Sequence, residues 1–185
     1  MPRQIKFARK FPDKHIDKGK PTYFVEKVLN SLGIDYRNNM KPELIVKLKH
    51  LNYKALQCGK LEIDDLLSFV QSLNLDITDC KPHAIRDSKI YNQGDTISLC
   101  VWSDKAYRSS PIIFAETKIE EVLPVTIVAK DKHVFIPDLA FYDESYTDYI
   151  LPKLSKNDGL TPEQFESWFS EPFVGNIIMW KEVIY

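Results

Sequence analysis

The chain has 185 residues, of which 44% are hydrophobic and 12% aromatic, enough to bury the core of one domain. Its 25 Lys and Arg residues nearly balance 26 Asp and Glu residues, so overall basicity gives no argument for nucleic-acid binding. Three scattered cysteines are too few for a disulfide framework, and no signal peptide or membrane-spanning apolar run is present. We therefore expect a single domain over residues 1–185, located in the cytoplasm and without a membrane partner.

The first half of the chain predicts a strand, a helix and a helical insertion. Residues 4–8 alternate polar and apolar side chains, which is typical of a short strand. Apolar residues recur at helical spacing over residues 21–32, and Gly33 follows as a stop signal. Two more stretches of helical periodicity follow, so we interpret residues 34–77 as a helical insertion within the domain.

Beyond residue 80 the hydrophobic period changes to two. Side chains alternate over residues 95–102 after a turn at Gly94, which predicts a strand with one buried face. A helical pair is predicted between the last two strands, because Thr161 and Pro162 begin a capped helix. Pro124 indicates a break or a sheet edge. Further strands are predicted at 111–119, 125–129, 133–137 and 176–184. This pattern indicates an α+β fold, most economically a small mixed β-barrel with peripheral helices.

Charge is unevenly distributed along the chain. Residues 1–20 carry a net charge of +5, with Phe7 and Phe11 among the basic side chains. Residues 141–171 carry a net charge of −5. Such runs are commonly solvated surface. The alternative is that the basic end lines a site for an anion, because its cations are accompanied by aromatic rings.

The densest group of candidate functional residues begins at Lys81. Cationic side chains can contact phosphate, and aromatic rings can stack on bases. Two structural alternatives remain open: Arg86 can pair with Asp87, and Trp102 can belong to the core. The segment runs KPHAIRD over residues 81–87 and is followed by Tyr91, Gly94, Asp95, Trp102, Tyr107 and Arg108.

Several motifs of this chain resemble the ASCH (activating signal cointegrator homology) domains of the PUA-like superfamily, in particular their bacterial and phage group. The resemblance covers nearly everything except residues 34–77. It implies a small PUA-like β-barrel with peripheral helices, whose cleft binds RNA or a modified nucleobase. The motifs are FARKFP, GKPTYFVEKVL, KPHAIRD, YNQGDTISLCVWSDKAYRS, NDGLTPEQFESWF and GNIIMW, in that order.

The resemblance implies RNA or a modified nucleoside as the partner. Basic groups would contact phosphate or a base edge, and rings would stack on a base. We therefore predict nucleic-acid-binding roles for Lys10, Lys81, His83, Arg86, Trp102, Tyr107 and Arg108.

One branch of the superfamily is similar to small amidohydrolases that remove acetyl from acetylcytidine. That family uses a lysine, a threonine three residues later and an acidic residue from a later helical segment. Here Lys81 matches the lysine, but Ala84 occupies the threonine position, so the hydroxyl is absent. Asp158 is the candidate acid, with Glu163 as an alternative. His83 or Ser109 would have to replace the hydroxyl, and whether the chain is an enzyme stays open.

Other chemistries have less support in the sequence. The four histidines are far apart and form no zinc motif, and no serine-hydrolase or P-loop motif is present. We therefore predict no metal and no cofactor. Cys80 lies beside Lys81, but its place at a strand start favours a buried structural thiol. A third alternative is a protein-binding role for the insertion at 34–77.

Overall fold

The computed structural model describes residues 2–34, 79–87, 90–102, 107–108, 110–128, 131, 133–137 and 146–183. The predicted insertion at 34–77 lies outside the described residues, apart from its first residue. Within the described ranges, seven strands form two sheets and three helices accompany them. The predicted α+β class is therefore confirmed.

The strands lie close to the predicted positions. They are β1 (Arg3–Phe7), β2 (His83–Arg86), β3 (Thr96–Trp102), β4 (Pro111–Lys118), β5 (Glu121–Val128), β6 (His133–Phe135) and β7 (Phe173–Met179). The first sheet has the order β1-β3-β4, with β1 parallel and β4 antiparallel to β3. The second has the antiparallel order β2-β7-β5-β6. These described strands form two sheets and no closed barrel.

The helices are α1 (Phe24–Ser31), α2 (Tyr146–Asn157) and α3 (Pro162–Trp168). Helix α1 begins at Phe24 rather than at Pro21. Tyr23 adopts a left-handed backbone conformation with φ 56°, and Thr22 donates its hydroxyl to the Ala8 carbonyl. These contacts hold the chain before Phe24 against the end of the first strand, outside helical geometry. The predicted capping box of α3 is present at Thr161.

A tight corner joins the two sheets after β4. Gly94 N donates to the Ile119 carbonyl at 2.8 Å, and Ile119 N donates to the Asp95 carbonyl at 2.9 Å. The next residue, Glu120, instead donates its N–H to the Met179 carbonyl of β7. The chain therefore passes from the first sheet to the second within two residues.

Two details of the second sheet differ from the predictions. Pro124 lies inside β5, opposite Asn176, in a stretch that β6 does not reach, since β6 pairs only with residues 126–128. A residue without an N–H is tolerated at such a place. Strand β7 ends at Met179 rather than at 184, because Trp180 turns its buried ring to donate Nε1 to the Ser31 hydroxyl.

Cys80 is exposed, so the prediction of a buried structural thiol is wrong. The segment before β2 is extended along α1, and consecutive side chains of an extended chain point to opposite sides. Lys81 is the side chain that turns inward, with 2% of its surface exposed. None of the described helices is long and apolar enough to cross a lipid bilayer.

Candidate functional site

A cavity of about 450 Å³ lies where β1, β2 and β3 meet α1, α3 and the end of α2. This volume falls within the range of small-molecule sites in proteins. Its lining combines four ionisable side chains with six aromatic rings. The ionisable groups are Lys6, Lys81, Arg86 and Asp158, and the rings are Phe7, Phe24, Trp102, Tyr107, Trp168 and Phe169.

Lys81 and Asp158 form a buried ion pair in this lining. Lys81 Nζ donates to Asp158 Oδ1 and, at 2.7 Å, to the backbone carbonyl of the same residue. The ammonium also lies 4.4 Å from the centre of the Phe24 ring. The lysine is therefore held by a charge, a carbonyl dipole and an aromatic face.

Backbone hydrogen bonds of the segment before β2 hold Lys81 in position. Lys81 N donates to the Lys27 carbonyl of α1 at 2.9 Å, and Trp180 N donates to the Pro82 carbonyl at 3.1 Å. Proline favours an extended conformation in the residue before it. Lys81 is thereby fixed between α1 and the end of β7.

Asp158 occupies the cap of α2. Gly159 N donates to the Lys156 carbonyl and Leu160 N to the Ser155 carbonyl, which are the two bonds of a Schellman motif. Gly159 has the positive φ, +73°, that the motif requires. The helix therefore ends with the Asp158 carboxylate and carbonyl both directed to Lys81.

Lys27 ties this helix end to α1. Its Nζ donates to the Gly159 carbonyl at 2.6 Å and lies 3.5 Å from Asp79 Oδ2. A Cβ added at Gly159 would lie 3.0 Å from Lys27 Cδ and 3.5 Å from Lys81 Cβ. The two lysines therefore pack closely around the glycine, in addition to its role in the helix cap.

Burial and pairing set the protonation of this cluster. Burial lowers the pKa of Lys81 to about 8, although Asp158 opposes the shift. For Asp158, burial alone would raise the pKa, but the adjacent Lys81 charge and the His83 contact outweigh it and lower the pKa. Burial also lowers the pKa of His83, whose Nε2 lies 3.5 Å from Asp158 Oδ1. We therefore assign His83 as neutral near pH 7.

Arg86 presents a second cation to the cavity from the end of β2. Its Nη1 donates to the Ile85 carbonyl at 2.7 Å and its Nη2 to the Lys6 carbonyl at 2.8 Å. The bond to Lys6 ties the second sheet to the first, and the two bonds together use two of the five guanidinium donors. Among the described residues, the hydrogen-bond acceptors of Arg86 are thus backbone carbonyls rather than the Asp87 carboxylate considered from the sequence.

Gly175 of β7 leaves room for the Arg86 backbone. A Cβ at this glycine would lie 2.4 Å from the Arg86 carbonyl and 2.6 Å from Phe173 Cε1. Both distances are shorter than real Cβ contacts allow. The glycine is therefore required for the close approach of β7 to the end of β2.

Trp102 and Tyr107 form one aromatic side of the cavity. Their ring centres are 5.4 Å apart and their planes are inclined by 50°. Lys6 Nζ lies 5.1 Å from the centre of the Trp102 ring. Trp102 is thus a partly exposed cavity residue rather than a buried core residue.

Helix α3, near the C-terminal end of the chain, supplies another wall of the cavity through Trp168. His15 is stacked on Phe11 with ring centres 4.2 Å apart, and Trp168 contacts both rings. Asp17 N donates to His15 Nδ1, so the other ring nitrogen carries the hydrogen and donates to the Gln164 carbonyl at 2.9 Å. This contact fixes the basic loop after β1 against α3.

The structure brings most, but not all, of the predicted site residues to the cavity. Lys81, Arg86, Trp102, Tyr107 and Asp158 line it. His83 is fully buried and contacts Asp158 rather than the cavity, whereas Lys10 and Arg108 are exposed and outside the lining. The alternatives Glu163 and Ser109 do not contribute: Glu163 is exposed on α3, and Ser109 lies outside the described residues.

Sequence reasoning missed several cavity residues. Lys6 and Phe24 belong to the basic, aromatic end for which an anion site is the alternative prediction, but neither is singled out as a site residue. The helical spacing of Trp168 and Phe169 predicts only the buried face of α3. Hydrophobic periodicity predicts which face of a strand or helix is buried, but not which distant element packs against that face. Among the described residues, no group of His, Cys, Asp and Glu side chains could hold a metal ion.

Comparison with known proteins assigns no family. No protein-family model matches the chain, and neither a curated protein nor a solved structure matches it. The chemistry of the cavity lining is therefore the evidence on function.

Proposed function

We propose that this protein binds a nucleobase, modified or unmodified, in the cavity between β1, β2 and α3. One observation carries the proposal: Lys81 and Arg86 lie among six aromatic side chains in a cavity of about 450 Å³. A base has two apolar faces that stack on rings and an edge whose acceptors bind N–H donors. The lining offers both kinds of contact.

The donors that remain on Arg86 support recognition of a base edge. Two of its N–H groups bind carbonyls, which orient the guanidinium plane, and the described residues provide no further hydrogen-bond acceptor for the other three. The Phe7 ring, 5.7 Å from the guanidinium carbon, supports the same orientation. The arginine is preorganised, which reduces the entropic cost of binding.

The family resemblance agrees with this proposal. The motifs KPHAIRD, CVWSDKAY and NDGLTPEQFESWF each contribute residues to the cavity lining. A PUA-like barrel of the ASCH group, in a cytoplasmic bacterial or phage protein, is the corresponding proposal for the fold and origin. The contact between Lys81 and Asp158 supports the ASCH proposal, because the family resemblance had named these two residues as the candidate lysine and acid.

Titration with single nucleotides tests the function. We expect the protein to bind acetylcytidine or at least one of the four ribonucleoside monophosphates. Calorimetry and tryptophan fluorescence measure this binding. Arg86→Met should weaken this binding about tenfold or more, because a charge-assisted hydrogen bond is lost. The matched control is Arg3→Met, since Arg3 lies on β1, is exposed and binds Asp95. Absence of binding, or equal loss in both variants, would overturn the proposal.

A second candidate function is hydrolysis of an acetylated nucleoside. The supporting observation is the buried lysine with its pKa lowered to about 8, paired with a carboxylate. Neutral Lys81 would take a proton from water as the oxygen adds to the acetyl carbonyl. The C–N bond would then break and the proton would pass to the departing amine. Asp158 would orient the lysine throughout.

The departure from the family pattern makes this candidate testable. Ala84 is fully buried and supplies no hydroxyl, and His83 faces Asp158. Incubation with acetylcytidine, followed by chromatography, should give cytidine and acetate if the reaction occurs. Lys81→Ala should abolish the product, and Ala84→Thr should increase its rate. Turnover that survives Lys81→Ala would exclude Lys81 as the base.

A further inference from the structure

Tyr107 is an aromatic side chain in an unusual position. It lines the cavity, yet 89% of its surface is exposed. Its φ is 62°, a left-handed conformation that residues other than glycine rarely adopt. Among the described residues the ring contacts Trp102, and most of its area is open to solvent. A ligand contained wholly within the cavity would leave that area unused.

Basic side chains lie on the segments beside this ring. Lys6 covers Trp102, and Arg108 follows Tyr107 as an exposed residue. Lys10 is exposed in the short segment between the lining residues Ala8 and Pro12. The overall charge of the chain is only −1, so these cations reflect the composition of their own segments rather than general basicity. Cations around exposed rings are typical of sites for single-stranded nucleic acid.

We propose that the occupant of the cavity is one base of a single-stranded nucleic acid, and that the neighbouring base of the strand stacks on Tyr107. This inference rests on the proposed nucleobase-binding function and names its ligand class. A base paired in a duplex must first be flipped out of its stack at an energetic cost, and a single strand avoids most of that cost. Lys10 and Arg108 then contact the phosphates on either side of the inserted base.

The experiment compares single nucleotides with short strands. Each of the four nucleoside monophosphates is titrated beside the corresponding pentanucleotide, in ribose and deoxyribose forms, with Tyr107→Ala, Tyr107→Phe and wild type. The matched control is Phe135→Ala, because Phe135 is also an exposed aromatic residue but lies on β6 and does not line the cavity. The two sugar forms separate RNA from DNA as the source of the strand.

We expect the best pentanucleotide to bind wild type more tightly than its mononucleotide. Tyr107→Ala should weaken pentanucleotide binding about 5- to 150-fold, the loss of one stacked base, and should weaken mononucleotide binding far less. Tyr107→Phe and Phe135→Ala should retain wild-type affinity for both.

Other outcomes separate this inference from the proposed function. If the mononucleotide binds in an Arg86-dependent manner but the pentanucleotide binds no tighter, the strand is not recognised and only this inference fails. The same holds if Tyr107→Ala weakens both ligands equally, because the ring is then merely a cavity wall. If neither ligand binds, the proposed function itself fails.

Discussion

Lys81 Nζ is bound twice by one residue, Asp158, through its carboxylate oxygen and through its backbone carbonyl at 2.7 Å. The carbonyl is available because Asp158 is the Ccap residue of the Schellman motif, where the carbonyl no longer accepts a helical hydrogen bond. The position of the charge in the cavity therefore depends on how α2 ends.

Removal of one partner of the Lys81–Asp158 pair should destabilise the folded protein. We expect Asp158→Asn to lower the free energy of unfolding by about 3–5 kcal/mol, because a buried ammonium loses its counter-charge. The double variant Lys81→Met with Asp158→Asn should lose less than the sum of the single variants. Urea denaturation measures both. The control is Lys18→Met, in an exposed pair with Asp13, for which a change of at most about 1 kcal/mol is expected. Additive losses would contradict a coupled pair.

The lowered pKa of Lys81 predicts a pH dependence of stability. The unfolded chain holds the proton with the ordinary pKa of 10.5, whereas the folded chain holds it with a pKa of about 8. Between these values the unfolded state binds more protons, so a rise in pH favours the folded state. The free energy of unfolding of wild type, relative to Lys81→Met, should therefore increase from pH 8 to pH 10. A difference that stays constant in urea titrations over this range would refute the shift.

The close approach at Gly175 predicts a packing defect. Gly175→Ala places a methyl group 2.4 Å from the Arg86 carbonyl, so β2 or β7 must move. We expect a loss of about 1–3 kcal/mol in thermal or urea unfolding, as for other overpacked sites. Weaker nucleotide binding should accompany it, because Arg86 is displaced. Val174→Ala is the control, since Val174 is 72% exposed, and an equal effect there would show that the strand tolerates no change.

The contacts of His15 predict how readily a protease can cleave the basic loop after β1. His15→Ala removes the stack on Phe11 and the bonds to Gln164 and Asp17. Trypsin should then cleave this loop, which contains Lys14, Lys18 and Lys20, several-fold faster than in wild type. The cleavage rate is read from mass spectra of timed digests. Ile16→Ala serves as control because its side chain is 71% exposed, and equal rates in the two variants would argue against the anchor.

Local patterns in the sequence were sufficient to predict much of the fold. The strand at β3 follows from alternation after Gly94, and the start of α3 follows from the capping box at Thr161, because both depend on neighbours in the chain. The start of α1 was predicted too early, since the left-handed conformation of Tyr23 has no signature that distinguishes it from a helical residue. Of the two alternatives predicted at Pro124, the break is wrong because β5 continues through it, whereas the edge agrees with the pairing, since β6 does not extend that far.

The site was less predictable from local pattern. The pairing of Lys81 with Asp158 spans 77 residues and came from the family resemblance, not from spacing. Lys6 and Trp168 could not be assigned to a cavity, because their roles depend on contacts between elements distant in the chain. His83 was predicted to bind ligand, yet it is fully buried against Asp158.

The hydrogen bonds beside α1 also bear on how the gene could be edited. Asn30 Nδ2 donates to the Asp79 carbonyl at 3.2 Å, so the chain leaves α1 and returns before β2 at adjoining points. Ile34 N donates to the Leu29 carbonyl, so the last described residue after α1 also stays beside the helix. We therefore expect that a few codons for a flexible link could join Ile34 to Asp79 in place of residues 35–78.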